Sequence, residues 1–336
     1  MPELRRDPIT GRWVIIASER AKRPKDFLAE KSVMGGALCP FCPGHEGMTP
    51  PEILAYRADG TAANTAGWSV RVVPNRYPAL RIEGTLERRG EGMFDRMSGI
   101  GAHEVLIETP EHDVDLADLD PPQVGEVLRA YRDRSLDLRK DRRFRYVLIF
   151  RNHGESAGAT LEHPHSQLIA TPVVPKRVQE EVAGVKQYHA LKERCVFCDI
   201  VQEEREGRKR IVHENESVVA FAPFASRFPF ETWIVPRVHR HDFGRIEDDE
   251  IAATAVVLKE VLGRLKRVLD DAPYNMVLHT APLDGEAPAD PLAPTEMHWH
   301  IEVMPRLTKV AGFEYGSGFF INPTPPEEAA EFLRNA

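Results

Sequence analysis

No run of about eighteen apolar residues, the length that spans a bilayer, occurs in the 336 residues, and the opening MPELRRDPITGRW lacks the apolar core of a secretory leader. A cytoplasmic protein without a membrane partner is the expectation. Basic residues are not in excess: 44 Lys and Arg stand against 52 Asp and Glu, for a net charge of -8. Long nucleic acids call for a basic face, so no nucleic-acid partner is expected, while a local basic pocket for a small phosphate ligand stays compatible with that balance. Cysteine is scarce, with four in all. They form two pairs, Cys39-Pro-Phe-Cys42 and Cys195-Val-Phe-Cys198, and in a reducing compartment such pairs read as metal ligands or redox dithiols before they read as disulfides. The remainder is ordinary for a globular chain, 42% hydrophobic and 29% charged, and long enough for two domains.

What is present is one unit used twice. From Cys39 the chain runs through an extended stretch (68–77), HEVLIETPEH (103–112), a helical stretch, the strand RYVLIFRN (145–152) and then HPHSQ (163–167). From Cys195 it runs through VVAFAPF (218–224), ETWIVPRVH (231–239), a helical stretch, YNMVLH (274–279) and HWHIEVMP (298–305). Val124, Val127, Leu128 and Tyr131 recur at helical spacing, as do Ile251, Leu258, Leu262, Leu265 and Leu269, which predicts an amphipathic helix over a sheet in each half. The fold class is therefore α+β, with antiparallel sheet and helices packed on it. The expected division is 1–178 and 179–336. EEREGRKR (203–210) reads as a solvated turn, and the Gly- and Pro-rich 281–296 as a surface loop.

The repeat supplies matching ligand sets. Cys39, Cys42, His112 and His163 hold the same ordinal places as Cys195, Cys198, His239 and His298. Two thiolates and two neutral imidazoles fill a tetrahedral zinc shell without net charge and leave no position for an activated water. Two structural Zn2+ sites are expected. His103 competes with His112, and His241 with His239; alignment of GAHEVLIETPEH with PFETWIVPRVH favours His112 and His239.

Alternation along an extended HPHSQ would set His163, His165 and Gln167 on one side and Ser166 on the other. With His163 taken by metal, His165 is free to act as a nucleophile toward phosphorus, and Gln167 can donate to a phosphoryl oxygen. Gly154 and Gly158 permit close backbone approach to phosphate, with Ser156 and Thr160 as hydroxyl donors. His298-Trp-His300 is followed by no matching Gln, so no second nucleophile is expected there, and His300 reads as a packed or hydrogen-bonded residue.

CPFC, a His closing a strand, NxGxxxG and HPHxQ in this order, with DPITGRWVIIASERAKRP at the start, resemble the galactose-1-phosphate uridylyltransferase family, a branch of the histidine-triad superfamily built from two triad-like halves. The resemblance covers nearly the whole chain. It implies two tandem histidine-triad-like units and a ping-pong nucleotidyl transfer. In that scheme His165 attacks the α-phosphorus of a nucleotide sugar, Gln167 supports it, and the nucleotidyl group passes to a sugar 1-phosphate or to phosphate. By the same motif matching, Arg20, Arg23, Asn75 and Asn152 are expected to meet the nucleotide and its phosphates, with Thr160 and Ser166 completing the set. A homodimer is also implied.

Three departures bear on the substrate. Ser166 stands where the uridylyltransferases usually carry Gly, a second CxxC replaces the iron-type site of several members, and the tail VAGFEYGSGFFINPTPPEEAAEFL lacks a clean match to the hexose-phosphate Lys and Gln, with Lys309 and Asn322 nearby. Here the chain is more similar to relatives that act as ADP-glucose phosphorylases. The leading expectation is UDP-glucose:hexose-1-phosphate uridylyl transfer in galactose metabolism. Adenylyl transfer from ADP-glucose to phosphate is the alternative, followed by a histidine-triad hydrolase and a non-catalytic zinc module.

Overall fold

Antiparallel strands carry most of the architecture. A computed structural model describes residues 1–17, 24, 27, 38–58, 60–283 and 297–336. The chain forms β1 (Glu3–Arg6), β2 (Trp13–Ile16), β3 (Leu54–Arg57), β4 (Trp68–Pro74), the hairpin β5 (Arg88–Glu91) and β6 (Phe94–Met97), β7 (Ala102–Ile107), helix α1 (Pro121–Leu138), β8 (Tyr146–His153) and β9 (His165–Thr171). Helices α2 (Lys176–Lys192) and α3 (Val196–Gly207) lead into β10 (Ile211–Glu214), β11 (Val218–Phe221), β12 (Thr232–Pro236), α4 (Asp248–Leu269), β13 (Tyr274–His279) and β14 (His300–Pro305). The chain closes with α5 (Gly312–Ser317), β15 (Phe320–Asn322) and α6 (Pro326–Arg334).

Ten strands make one sheet in the order β10-β11-β12-β14-β13-β8-β9-β7-β4-β3, and every neighbouring pair is antiparallel. Outward from its centre the order is β8-β9-β7-β4-β3 on one side and β13-β14-β12-β11-β10 on the other. The internal repeat is thus a pseudo-twofold about the β8–β13 seam, where Asn152 lies opposite Asn275. The two expected units share this sheet, and residue 178, the expected boundary, lies inside α2. Strands β1, β2 and β15 form a separate small sheet, with β2 and β15 parallel.

Alternation sorts the side chains of each strand. Helices α1 and α4 pack together on one face; Val124, Val127, Leu128 and Tyr131 of α1 and Ile251, Leu258 and Leu262 of α4 are at most 1% exposed. They meet Leu168 and Ala170 of β9 and Ile301 and Val303 of β14 in one core that draws on both halves. Each such buried aliphatic side chain contributes about 1.5–3 kcal/mol. The α1 entry is fixed by Pro121 and by the Asp120 carboxylate, which accepts the Gln123 N–H at 2.9 Å. The α4 entry carries a Glu247–Glu250 capping box.

On the opposite face, α3 and part of α2 cover the second half through Val185, Val196, Phe197 and Val201, packed on Phe221, Trp233 and Val235. Residues 203–207 belong to α3 rather than to a solvated turn; Glu204 is buried, and its carboxylate accepts from the Arg210 guanidinium at 2.9 Å. The same face of the first half carries a thinner apolar cluster of Phe41, Trp68, Val73, Val105 and Ile107. That is the face on which β9 presents His165 and Gln167.

Candidate functional site

Both ligand sets expected from the repeat assemble. Cys39, Cys42, His112 and His163 bring their ligand atoms within 4.8 Å of one another, and so do Cys195, Cys198, His239 and His298. Cys42 Sγ lies 3.3 Å from His112 Nδ1 and 3.7 Å from His163 Nδ1; Cys198 Sγ lies 3.6 Å from His239 Nδ1 and 3.7 Å from His298 Nδ1. His112 and His239 both sit beyond the ends of their strands, β7 and β12, rather than closing them. His163 Nε2 donates to the Thr109 carbonyl at 2.8 Å, which leaves Nδ1 bare and directed at the cysteines. An imidazole fixed in this way by a backbone acceptor is oriented for metal. Burial pushes the His163 pKa down to about 4, so the ring is neutral, as a ligand must be. Either cluster could hold a metal ion.

His163 precedes β9, which begins at His165. The His165 ring is buried, 8% exposed, beside Phe41 of the CPFC turn with ring centroids 5.4 Å apart. Its Nδ1–H donates to the His163 carbonyl at 2.8 Å, so Nε2 carries the free lone pair. Burial lowers the His165 pKa and keeps the ring in the neutral, nucleophilic form. The metal ligand and the candidate nucleophile are thus coupled through one peptide carbonyl.

Carboxamides surround this imidazole's strand. Gln167 Oε1 lies 2.8 Å from His103 Nε2, so His103 serves Gln167 rather than a metal. Asn75 Oδ1 accepts the Tyr77 N–H at 2.8 Å. Asn152, at the end of β8, accepts at Oδ1 from Asn275 Nδ2 at 2.8 Å across the seam, and Asn275 also donates to the Ala157 carbonyl at 2.8 Å. The β8–β9 loop holds Gly154 at φ +79°, where an added Cβ would come within 2.9 Å of the Pro273 ring, so only glycine fits. Gly158 follows at φ +96°, facing the Asn152 amide, and Thr160 is exposed in the same loop. Arg20 and Arg23 lie outside the described residues.

Ser166 is the exception among the expected phosphate contacts. Its side chain is fully buried on the helix side of the sheet, opposite His165, so its hydroxyl does not face the nucleophile. It donates to the Glu108 carboxylate and accepts from Tyr131 Oη at 2.5 Å. Glu108 also accepts from Arg151 Nε at 3.0 Å, and Arg151 donates on to Tyr274 Oη at 2.7 Å and to Asp115. A charged and polar network therefore backs the strand.

The second half keeps the frame and changes the chemistry. His300 Nδ1–H donates to the His298 carbonyl at 3.0 Å, as His165 does to His163. Two residues on, however, stands Glu302 in place of Gln167, gripped by Arg227 at 2.6 Å. His279 stacks on His300 and bonds Glu181 Oε2 at 2.9 Å. Burial opposes charge on His279, but the carboxylates of Glu181 and Glu302 outweigh it and push its pKa up to about 10. The place of Gln167 is thus held by a carboxylate paired with Arg227 and His279, which has no amide N–H to donate to a phosphoryl oxygen. No described helix is long and apolar enough to cross a membrane.

Comparison with known proteins matches this geometry to a family. Residues 1–175 match the family model described as galactose-1-phosphate uridyl transferase, N-terminal domain, and residues 126–335 match a domain of unknown function. The chain is 37% identical to an ADP-glucose phosphorylase of Arabidopsis thaliana, over 99% of this chain and 92% of that one. It is 31% identical to a galactose-1-phosphate uridylyltransferase of Thermotoga maritima, over 99% and 98%. Among solved structures, the Arabidopsis thaliana ADP-glucose phosphorylase with bound ADP-glucose superposes with a TM-score of 0.83 at 34% identity, covering 100% of this chain and 99% of that one. A uridylyltransferase superposes with a TM-score of 0.74 at 33% identity, covering 100% and 98%. A match over half the chain to the family model, and whole-length relatives above 30% identity carrying the same fold, make this chain a member of the galactose-1-phosphate uridylyltransferase family.

Proposed function

We propose that the chain is a nucleotidyltransferase that acts on nucleotide sugars through a nucleotidyl-His165 intermediate. The observation that carries this reading is the His165 ring itself: neutral, held at Nδ1 by the His163 carbonyl, with the Nε2 lone pair free on the face it shares with Gln167. Nε2 attacks the α-phosphorus; the N–P bond forms as the bond to the departing sugar 1-phosphate breaks. The positive charge that develops on the ring is met by the His163 carbonyl at Nδ1–H, and the charge on the phosphoryl oxygens by the Gln167 amide with Asn75 and Asn152. A second phosphate oxygen then displaces His165. Arg20, Arg23 and Thr160 supply further phosphate contacts, and Ser166 contributes through its place in the strand rather than through its hydroxyl.

Two acceptor and base assignments share this mechanism. Uridylyl transfer between UDP-glucose and a hexose 1-phosphate places the chain in galactose metabolism. Adenylyl transfer from ADP-glucose to phosphate is favoured by the higher identity and TM-score of the Arabidopsis thaliana enzyme. The enzyme acts as a cytoplasmic homodimer. Both metal clusters take zinc: bonds of about 2.3 Å to sulfur and about 2.0 Å to nitrogen put a tetrahedral S···N edge at about 3.5 Å, close to the separations present. Zinc at these filled sites holds the CxxC turns to the His-x-His strands.

Incubation with UDP-glucose or ADP-glucose labelled at the α-phosphorus tests the reading. Label is expected on the protein with the proper donor, absent from His165→Gly, and discharged by hexose 1-phosphate or by phosphate. Release of free nucleoside monophosphate without an acceptor points to a hydrolase instead. No labelled protein with either donor overturns the proposal.

A further inference from the structure

Every carboxamide near His165 has its oxygen occupied by a protein donor, and in the Gln167 case that donor is a histidine no ligand set uses. We infer that His103 is a positioning residue that makes the Gln167 carboxamide an obligate donor toward the transferred phosphoryl group. The inference rests on the transfer chemistry proposed above.

His103 stands on β7, and its Nδ1 lies 3.1 Å from the backbone N–H of Ala79. A backbone N–H can only donate, so Nδ1 is the bare nitrogen and the ring proton sits on Nε2. That Nε2–H points at Gln167 Oε1, 2.8 Å away. With its oxygen bound, Gln167 has one amide orientation, in which both Nε2 hydrogens are left for a ligand. Without His103 the amide can turn over, and half of its orientations then present an oxygen to an anion.

Asn75 leaves Gln167 as the acceptor of that proton. Its Oδ1 is fixed by the Tyr77 N–H, so the atom it sets 3.1 Å from His103 Nε2 is Nδ2, a second donor, which cannot take it. Asn152 is tied in the same way by Asn275. Three amides near β9 thus have their oxygens taken and only N–H groups left to offer, and of these the Gln167 amide is on the same face as His165, where charge builds on the phosphoryl oxygens in the transition state. His103 touches no reacting atom in this arrangement and acts through Gln167.

The test is a double-mutant cycle on single-turnover formation of labelled nucleotidyl-enzyme, with His103→Phe, Gln167→Ala and the double variant. The wild-type protein must label first; if it does not, the transfer reading fails and the role of His103 is a separate matter. Loss of one oriented donor should slow labelling by about 10–100-fold in His103→Phe, somewhat below the ~10²–10³ typical for outright removal of such a donor. Donor affinity should change less than the rate, and the metal content should stay at the wild-type value. In the Gln167→Ala background, His103→Phe should have no further effect. His103→Gln, which can donate or accept, should fall between wild type and His103→Phe, and it replaces the phenylalanine variant in the cycle should that protein not fold. Multiplicative losses in the double variant, wild-type labelling by His103→Phe, or loss of a metal ion from it would each overturn the inference.

Discussion

Replacing Ser166 by alanine separates the two faces of the nucleophile strand. The hydroxyl lies on the helix side, between the Tyr131 phenol and the Glu108 carboxylate. Its removal leaves the buried Tyr131 hydroxyl without its acceptor, while Glu108 keeps Arg151. An unmatched buried hydroxyl costs about 1–3 kcal/mol, and a lost hydrogen bond to a charged group lies in the same range, so the variant should be about 2–3 kcal/mol less stable. For a chain of this length the unfolding entropy near the midpoint is about 0.7 kcal/mol per degree, which places the drop in Tm at about 3–4 °C. Ser166→Gly should lose about 0.5–1 kcal/mol more, because glycine in a strand adds backbone entropy to the unfolded state. Nucleotidyl-enzyme formation at 25 °C, by contrast, should stay within about twofold of wild type for Ser166→Ala, since deletion of a hydroxyl bound behind the sheet leaves the donors in front of it in place. Calorimetry and single-turnover labelling on the same preparation decide it. Lost labelling at an unchanged Tm would mean that the hydroxyl reaches the substrate, and the placement argued above would be refuted.

Asn275→Ala should free the Asn152 amide across the seam and slow labelling by about 3–10-fold, a modest share of what losing an oriented donor costs; an unchanged rate would count against any contribution of the second half to the site. Metal analysis should give two zinc ions per chain, with one lost in Cys42→Ser and one in Cys195→Ser; since structural zinc binds with about 10–16 kcal/mol of apparent free energy, either variant should melt well below wild type. A single ion in the wild-type protein would remove the second assignment. The His279 pKa is raised in the folded protein to about 10, so its ion pairs stabilise the fold fully below the unfolded value near 6.5 and progressively less as pH rises toward 10. Urea unfolding of wild type against His279→Gln should show that difference shrinking by up to ~1.4 kcal/mol per pH unit across this window; a difference that grows with pH would contradict the pairing.

The sequence and the structure agree where the signal is local. The stripes at Val124–Tyr131 and along α4 are buried as their periodicity requires, and the CxxC and His-x-His spacings find each other because the repeat orders them twice. Alternation alone also places Ser166 behind the strand; only motif matching set it against the phosphate. The seam was not legible, because pairing β8 with β13 joins residues more than a hundred positions apart and leaves no mark on either strand. For the same reason nothing local marks Asn275 as a partner of Asn152. His103 read as a rival ligand because spacing cannot tell a histidine bound for sulfur from one bound for a glutamine oxygen; the separating fact is the Ala79 N–H at its other nitrogen. Helices α2 and α3 lie in a stretch dense in charge that shows no clear stripe, because Val185, Val196, Phe197 and Val201 face a core contributed by distant strands.

The seam has a consequence for how such a site can change. In a symmetric pair of identical chains, every substitution is made on both sides of the axis at once, and a carboxylate placed after one His-x-His would appear after the other. Joining the two copies in one polypeptide lifts that constraint. Glu302 can stand where Gln167 stands in the other copy, and Asn275 can lean across the axis to serve a centre its own half does not possess. Asymmetry of this kind is open only to a fused repeat.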